Sequence, residues 1–561
     1  MSRVARQVSV IAALAFTSLV HAEDVATPKP KKVLDTIMNP AYIPGEEKHA
    51  SYWRSSAAAT IQDKLNQKIN TNRAKNGIFF IGDGMSLATI MAARTFAGQL
   101  EREVGEDNTL SFEKFPVSGL ARTYCLDAQV PDSACTATSY LTGVKTKYGT
   151  IGLDGNVTRG ACSSQLHQGN LVSSIGQWAL DAGLDAGLVT TTRVTHASPA
   201  GMYAHSSERN WEADSDVPQE CLDLGCKDIA YQLVKEKPGN MYKVIMGGGR
   251  REFTPNITNA QFKSGGKRLD NLDLTEAWHA DKMEKNATHQ YVTDRNELMK
   301  VFNAEELPEY LLGLFNDDHM AYHLQARDQP TLEEMVEVAI KMLSRNPKGY
   351  FLFVEGGRID HAHHDSLAHL ALDETVEYAK AVEKAKCLTS REDTLIVVSS
   401  DHAHTMTVAG YPSRGNDILG TVDTALGSDD IPYTTISYAN GKGQSVGADG
   451  KRIDVTKSQS FLTRSLDYEY PGMVPMDSET HGGEDVAVYA LGPWQHLFTA
   501  SYEQNVVPHL IAYAMCIGNE KDEHCKPKSG GFWSPNSSSN KASSFSFICV
   551  AVIVSYLRRL L

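Results

Sequence analysis

The chain has 561 residues, 42% hydrophobic and 22% charged, the balance of a large folded protein and not of a disordered one. No internal apolar run reaches the roughly 20 residues that a spanning helix needs, which excludes a polytopic membrane protein. A formal charge of −14 and a pI near 5.8 leave no surplus of Lys and Arg to meet a phosphate backbone, so nucleic acid is not expected as a partner.

At the N-terminus Arg3 and Arg6 precede an apolar stretch from Val8 to Val20, and Val20-His21-Ala22 offers small side chains to a signal peptidase. Residues 1–22 therefore read as a signal peptide and 23–70 as an N-terminal arm with a surface helix over Trp53 to Gln67. Short apolar runs then alternate with helical patterns: Gly77 to Gly82 before Ser86 to Leu100, Ala186 to Thr191, Lys243 to Gly247, Gly349 to Glu355 after Thr331 to Ser344, and Thr394 to Ser400 after Ser366 to Lys386. Apolar runs without alternation are strands buried on both faces. The expected fold is α/β, a large central and mostly parallel sheet flanked by helices on both faces, over 71–408 and 479–525. Between 409 and 478 the texture turns rich in Gly, Ser and Asp with short strand-like pieces, and a small inserted, crown-like domain is expected there.

The C-terminal end repeats the logic of the N-terminal one. A polar linker over 526–544 leads into a hydrophobic tail, 545–561, whose apolar part is too short to span comfortably and fits a signal exchanged for a glycolipid (GPI) anchor. Asn536 is the expected attachment residue, with Gly530 and Ser543 as alternatives, and a single-pass anchor that keeps Arg558 and Arg559 is the competing reading. Trimming both ends removes Arg3, Arg6, Lys541, Arg558 and Arg559 and no acid, so the mature chain is more acidic still. The expected destination is the extracellular face of the plasma membrane, where disulfides form. Of nine cysteines Cys549 lies in the tail; Cys516 and Cys525 close a short polar loop and are the pair that the sequence itself suggests. Asn156, Asn256 and Asn286 begin glycosylation triplets.

The chemistry concentrates at strand ends. In VEGGRIDHAHHD, Val354 to Asp365, a helix starting near Ile359 puts Asp360 and His364 at i and i+4, one face gripping one ion, with Glu355 on the preceding strand end. In SSDHAHT, Ser399 to Thr405, an apolar strand ends in Asp401-His402. Asp83 after GIFFIG and His481 in ETHGGEDVAVYA supply further ligands; mixed Asp and His sets suit zinc, all-oxygen sets magnesium. In VPDSACTATSY, Val130 to Tyr140, a tight turn entering a helix would set the Ser133 hydroxyl at the positive end of the helix dipole.

Together with IGDGM, Ile81 to Met85, TTRVTHASPAGMYAH, Thr191 to His205, and ERNW, Glu208 to Trp211, these strings, taken in chain order over about Trp53 to Cys525, resemble the alkaline phosphatase family. The resemblance implies a metal-dependent enzyme that hydrolyses phosphate monoesters to alcohol and inorganic phosphate through a phosphoserine on Ser133. It implies two zinc ions, one on Asp360, His364 and His481 and one on Asp83, Asp401 and His402, and one magnesium ion on Asp83, Ser198 and Glu355. Arg209 would clamp the phosphoryl group, and His196 and His361, where bacterial members typically carry Asp and Lys, would stand behind the ligands. A homodimer is implied, with the Trp53 to Gln67 helix and the insertion at the contact. So is a disulfide between Cys162 and Cys226, which leaves Cys221 and Cys387 unexplained. The family's additional calcium site loses two acids at Asn316 and Gln329, which weakens the case for calcium here. Ser86 replaces a common Gly, and Cys135 stands where Gly or Ala is usual; Cys135 is open either to oxidation or to pairing with Cys125. Two other function classes compete, sulfate ester or phosphodiester hydrolysis on the same metal fold and a silent surface receptor. A complete set of ligands, nucleophile and clamp argues against both.

Overall fold

The computed structural model describes residues 45–257, 265–456, 463–519 and 523–526. The expected signal peptide, Asn536 and the hydrophobic tail lie outside the described residues. Eight strands come first: β1 (Asn76–Gly82), β2 (Val117–Arg122), β3 (Asp185–Arg193), β4 (Val244–Gly248), β5 (His289–Val292), β6 (Tyr310–Leu314), β7 (Tyr350–Gly356) and β8 (Thr394–Ser399). Six short ones follow, β9 (Ala403–His404), β10 (Met406–Val408), β11 (Ile436–Gly441), β12 (Gly443–Gln444), β13 (Pro471–Pro475) and β14 (His481–Gly482), and then β15 (Val486–Leu491) and β16 (Ala500–Glu503).

Ten strands form one sheet in the order β16-β2-β15-β8-β1-β7-β3-β4-β6-β5. From β8 to β5 all neighbours are parallel, while β15 runs antiparallel to both β8 and β2. The central strands carry apolar residues on both faces because both faces are covered. Phe80, Leu352 and Val354 pack under the helices Leu87–Leu100, Leu332–Leu343 and Ala368–Leu388. Phe79, Phe351 and Phe353 pack on the other side against Ser133–Thr142, Ile229–Lys235 and Val506–Met515. Each of these six strand side chains is at most 1% exposed, and burying each contributes about 1.5–3 kcal/mol.

The fold matches the α/β expectation, and the five strands read from the sequence are β1, β3, β4, β7 and β8. A separate four-stranded sheet, β10-β11-β13-β12, is built largely from residues between 409 and 478. The helix Ala50–Asn66 has no buried residue. Among the described residues no helix is long and apolar enough to cross a membrane.

The cysteines correct one expectation. Cys162 pairs with Cys221 and not with Cys226. Gly225, in the left-handed region at φ 102°, turns the chain back after the helix Gln219–Leu224, so Cys221 and Cys226 both reach Cys162; Cys221 makes the bond and the Cys226 sulfur lies 3.7 Å from the Cys162 carbonyl oxygen. Cys516–Cys525 forms as expected, and Cys125–Cys135 resolves the alternative left open for Cys135.

Candidate active site

In an open parallel sheet, functional groups collect beyond the carboxyl ends of the strands. Four adjacent strands do this here. β8 leads to Asp401 and His402, β1 to Asp83, β7 ends on Glu355 and Gly356 before the helix Arg358–His364, and β3 leads to His196 and Ser198. The IGDGM turn needs its glycine: Gly84 sits at φ 69°, and a Cβ there would stand 2.4 Å from the His404 ring. Ser86 caps the following helix by accepting a hydrogen bond from the Thr89 amide.

One half of the site is rich in nitrogen. Asp360, His364 and His481 converge, with Asp360 Oδ1 3.4 Å from His364 Nε2 and 3.3 Å from His481 Nε2, and the two Nε2 atoms 3.0 Å apart. His364 Nδ1 donates to the Glu479 carbonyl and His481 Nδ1 to the Pro131 carbonyl. A carbonyl only accepts, so both protons sit on Nδ1 and both Nε2 lone pairs face inward, the arrangement of histidines that hold a metal. Burial opposes ionisation of Asp360, yet the His364 and His404 imidazoles hold its carboxyl well below the usual range. His404 bridges Asp360 Oδ1 at 2.6 Å and Glu479 Oε2 at 2.5 Å; burial works against its charge, but these two acids push its pKa up to about 10.

The other half is rich in oxygen. Asp83 and Glu355 are 0% exposed and Ser198 is 2% exposed; both Asp83 carboxylate oxygens, Glu355 Oε1 and the Ser198 hydroxyl have no hydrogen-bond partner among the described residues. Glu355 Oε2 accepts from Thr190 and Thr192. Burial, and then the charges of Asp401, Asp360 and Glu355, push Asp83 well above the carboxylate range. Glu355 is raised to about 7, by burial first and with Asp401 adding to it. Orphaned oxygens on crowded, buried carboxylates are what a hard divalent cation satisfies, so the donor set fits magnesium.

Between the halves lies Ser133, at the start of the helix Ser133–Thr142. Its Oγ is 3.2 Å from His402 Nε2, which is itself 3.2 Å from Asp401 Oδ2 and 3.5 Å from Asp83 Oδ1. Burial holds His402 well below the usual imidazole range, so it is neutral and carries a lone pair. Asp132 caps the helix: its Oδ1 accepts from the Cys135 and Gly149 amides and its Oδ2 from Arg209 Nη1 at 2.9 Å. Arg209 Nη2 reaches His196 Nε2 at 3.2 Å, and the His196 ring lies 5.4 Å from that of His361.

All the expected metal residues, Ser133 and Arg209 thus fall in one region. The sequence reading assigned nothing to His404, Glu479, Asp132 or His319, whose ring packs 4.2 Å from His361. His363, in the middle of the histidine string, is fully buried between Thr89 and Tyr438 and faces away. Asn316 and Gln329 spend their side chains on hydrogen bonds to the His319 carbonyl and the Ala321 amide. Asn156, Asn256 and Asn286 are exposed.

A family model described as alkaline phosphatase matches residues 74–517. The chain is 46% identical over 507 residues to a membrane-bound alkaline phosphatase of Bombyx mori, covering 89% of this chain and 91% of that one. It is 46% identical over 504 residues to the tissue-nonspecific alkaline phosphatase isozyme of Homo sapiens, covering 88% and 94%. In fold it is similar to the alkaline phosphatase of the Antarctic bacterium TAB5, with a TM-score of 0.54 at 21% identity over 80% of this chain and all of that one. It is likewise similar to that of Thermus thermophilus, with a TM-score of 0.54 at 23% identity over 81% and 93%. The chain belongs to the alkaline phosphatase family and is a metal-dependent phosphomonoesterase.

Proposed function

We propose that Ser133 is the nucleophile and Arg209 the phosphate clamp of this enzyme, with Asp360, His364 and His481 holding one zinc ion, Asp83, Asp401 and His402 a second, and Asp83, Glu355 and Ser198 a magnesium ion. The observation that carries the reading is the Ser133 hydroxyl, buried at a helix N-terminus, 3.2 Å from His402 Nε2 and flanked by the Asp132–Arg209 ion pair. When bound, the metal ions supply Lewis-acid stabilisation of the negative oxygens in phosphoryl transfer. The Ser133 hydroxyl releases its proton to solvent as its oxygen attacks phosphorus, the bond to the alcohol oxygen breaks, and the alcohol leaves with a proton drawn from solvent. Arg209, held in plane by Asp132, donates two parallel hydrogen bonds to phosphoryl oxygens. Water then attacks the phosphoserine from the opposite side, releasing inorganic phosphate and restoring the hydroxyl. Two in-line displacements retain configuration at phosphorus. His196 orients Arg209 through Nε2.

The protein is proposed to work as a homodimer, with the bare helix Ala50–Asn66 and the 409–478 insertion, a crown-like domain, at the contact. A signal peptide, a glycolipid anchor at Asn536 and glycans on Asn156, Asn256 and Asn286 complete a cell-surface reading. The membrane-bound Bombyx mori relative and the exposure of the three asparagines support it.

Ser133→Ala tests the core of this reading. It is expected to retain zinc while p-nitrophenyl phosphate turnover falls on the order of 10⁴-fold or more and acid-trapped phosphoprotein disappears. Undiminished turnover overturns the serine mechanism.

A further inference from the structure

Ser133, Asp132 and Pro131 are consecutive, and each supports a different part of the site. Ser133 carries the nucleophilic oxygen. Asp132 receives Arg209 Nη1 at 2.9 Å, and the Pro131 carbonyl receives His481 Nδ1 at 2.7 Å. All three lie inside the loop closed by Cys125–Cys135, whose cysteines are ten residues apart in sequence. The cross-link joins the segment after β2 to the first turn of the helix Ser133–Thr142. Both cysteines are at most 2% exposed, and Cys125 Sγ lies 3.8 Å from Asp132 Oδ1, the oxygen that caps the helix. Besides the cross-link, the loop is tied at its β2 end, where the Leu126 amide donates to the Thr146 carbonyl and Asp127 Oδ1 accepts from the Tyr148 amide, and at its helix end by the Gly149 and Cys135 amides donating to Asp132 Oδ1.

We infer that the Cys125–Cys135 disulfide is a positioning element for catalysis, fixing nucleophile, phosphate clamp and one metal ligand as a single covalent unit. The inference rests on the roles proposed above for Ser133, Arg209 and His481. Opening the loop removes a constraint on its conformations and lets Asp132 and the Pro131 carbonyl drift together. Arg209 and His481 then lose orientation at the same time. The cross-link would couple two properties that are otherwise separate, affinity for phosphate and affinity for zinc.

The test compares two double variants that remove disulfides of nearly equal span. Cys125→Ala/Cys135→Ala opens the catalytic loop. Cys516→Ala/Cys525→Ala opens a loop whose cysteines are nine residues apart at the far end of the chain. Both are expected to lower the melting temperature. The first alone is expected to weaken competitive inhibition by inorganic phosphate and the binding of zinc titrated into the metal-free protein, each by about 10-fold, the size seen when partners behind a ligand are lost. Cys125→Ala by itself opens the same loop and carries the same expectation. Phosphate inhibition and zinc binding within twofold of the parent in both loop variants, with only the melting temperature changed, overturn the inference. That outcome is distinct from failure of the serine mechanism, which shows in Ser133→Ala alone.

Discussion

The nitrogen-rich and oxygen-rich halves of the site face each other across Ser133 but are built on opposite terms. Around Asp360, His364 and His481 the imidazole Nδ1 protons go to backbone carbonyls, and His404, held by Glu479, contacts Asp360 Oδ1, the oxygen that also faces the two Nε2 atoms. Around Asp83, Glu355 and Ser198 the facing oxygens have no hydrogen-bond partner among the described residues, and burial first, then neighbouring acids, raises the pKa of Asp83 and of Glu355. The difference teaches how each half is prepared: backbone carbonyls orient the imidazoles of the nitrogen half, while the oxygen half presents buried carboxylate and hydroxyl oxygens that no hydrogen bond among the described residues occupies.

Three experiments sharpen or break that contrast. The largest effect is expected from His364→Ala, which removes one of three converging donors; activity should fall on the order of 10³-fold, with loss of about one zinc per chain by elemental analysis and little change in melting temperature. Retention of full zinc would contradict the assignment. Next comes Glu355→Gln, which keeps the shape and removes the charge. Magnesium stimulation of turnover should weaken by about 100-fold in magnesium concentration while the zinc content stays constant, and parallel loss of zinc would show that the halves are not separable.

The smallest effect is a pH dependence. Glu355 has a folded pKa raised to about 7 from a reference of 4.5, so between those values the folded state binds more protons than the unfolded one. The metal-free protein should therefore lose stability as pH rises through that window, and magnesium, which takes the place of the proton, should flatten the slope. A stability of the metal-free protein that rises across the same window would contradict the crowding of the oxygen half.

Much of this was legible in the sequence because some ligands share local geometry. Asp360 and His364 are one helical turn apart, and Asp401-His402 follows an unbroken apolar strand, so spacing alone exposes them. The bracing residues were not legible. Glu479 reaches His404 across 75 residues and His481 reaches the Pro131 carbonyl across 350, and no local pattern encodes such pairings. β2 escaped because its exposure alternates, so it lacks the unbroken run that marks the parallel centre; β15 has such a run, VAVYAL, and only its antiparallel pairing with β8 and β2 could not be foreseen from it. The Cys162 pairing failed on a turn, since Gly225 brings Cys221 and Cys226 to the same sulfur.

The central claim is that two transition-metal centres flank one serine oxygen. Diffraction from crystals of the purified protein, recorded on both sides of the zinc absorption edge, tests it most directly. The account predicts two anomalous peaks, one among Asp360, His364 and His481 and one among Asp83, Asp401 and His402, with the Ser133 oxygen beside the second and no zinc signal at Glu355 and Ser198. A single peak, or peaks away from Ser133, would contradict it.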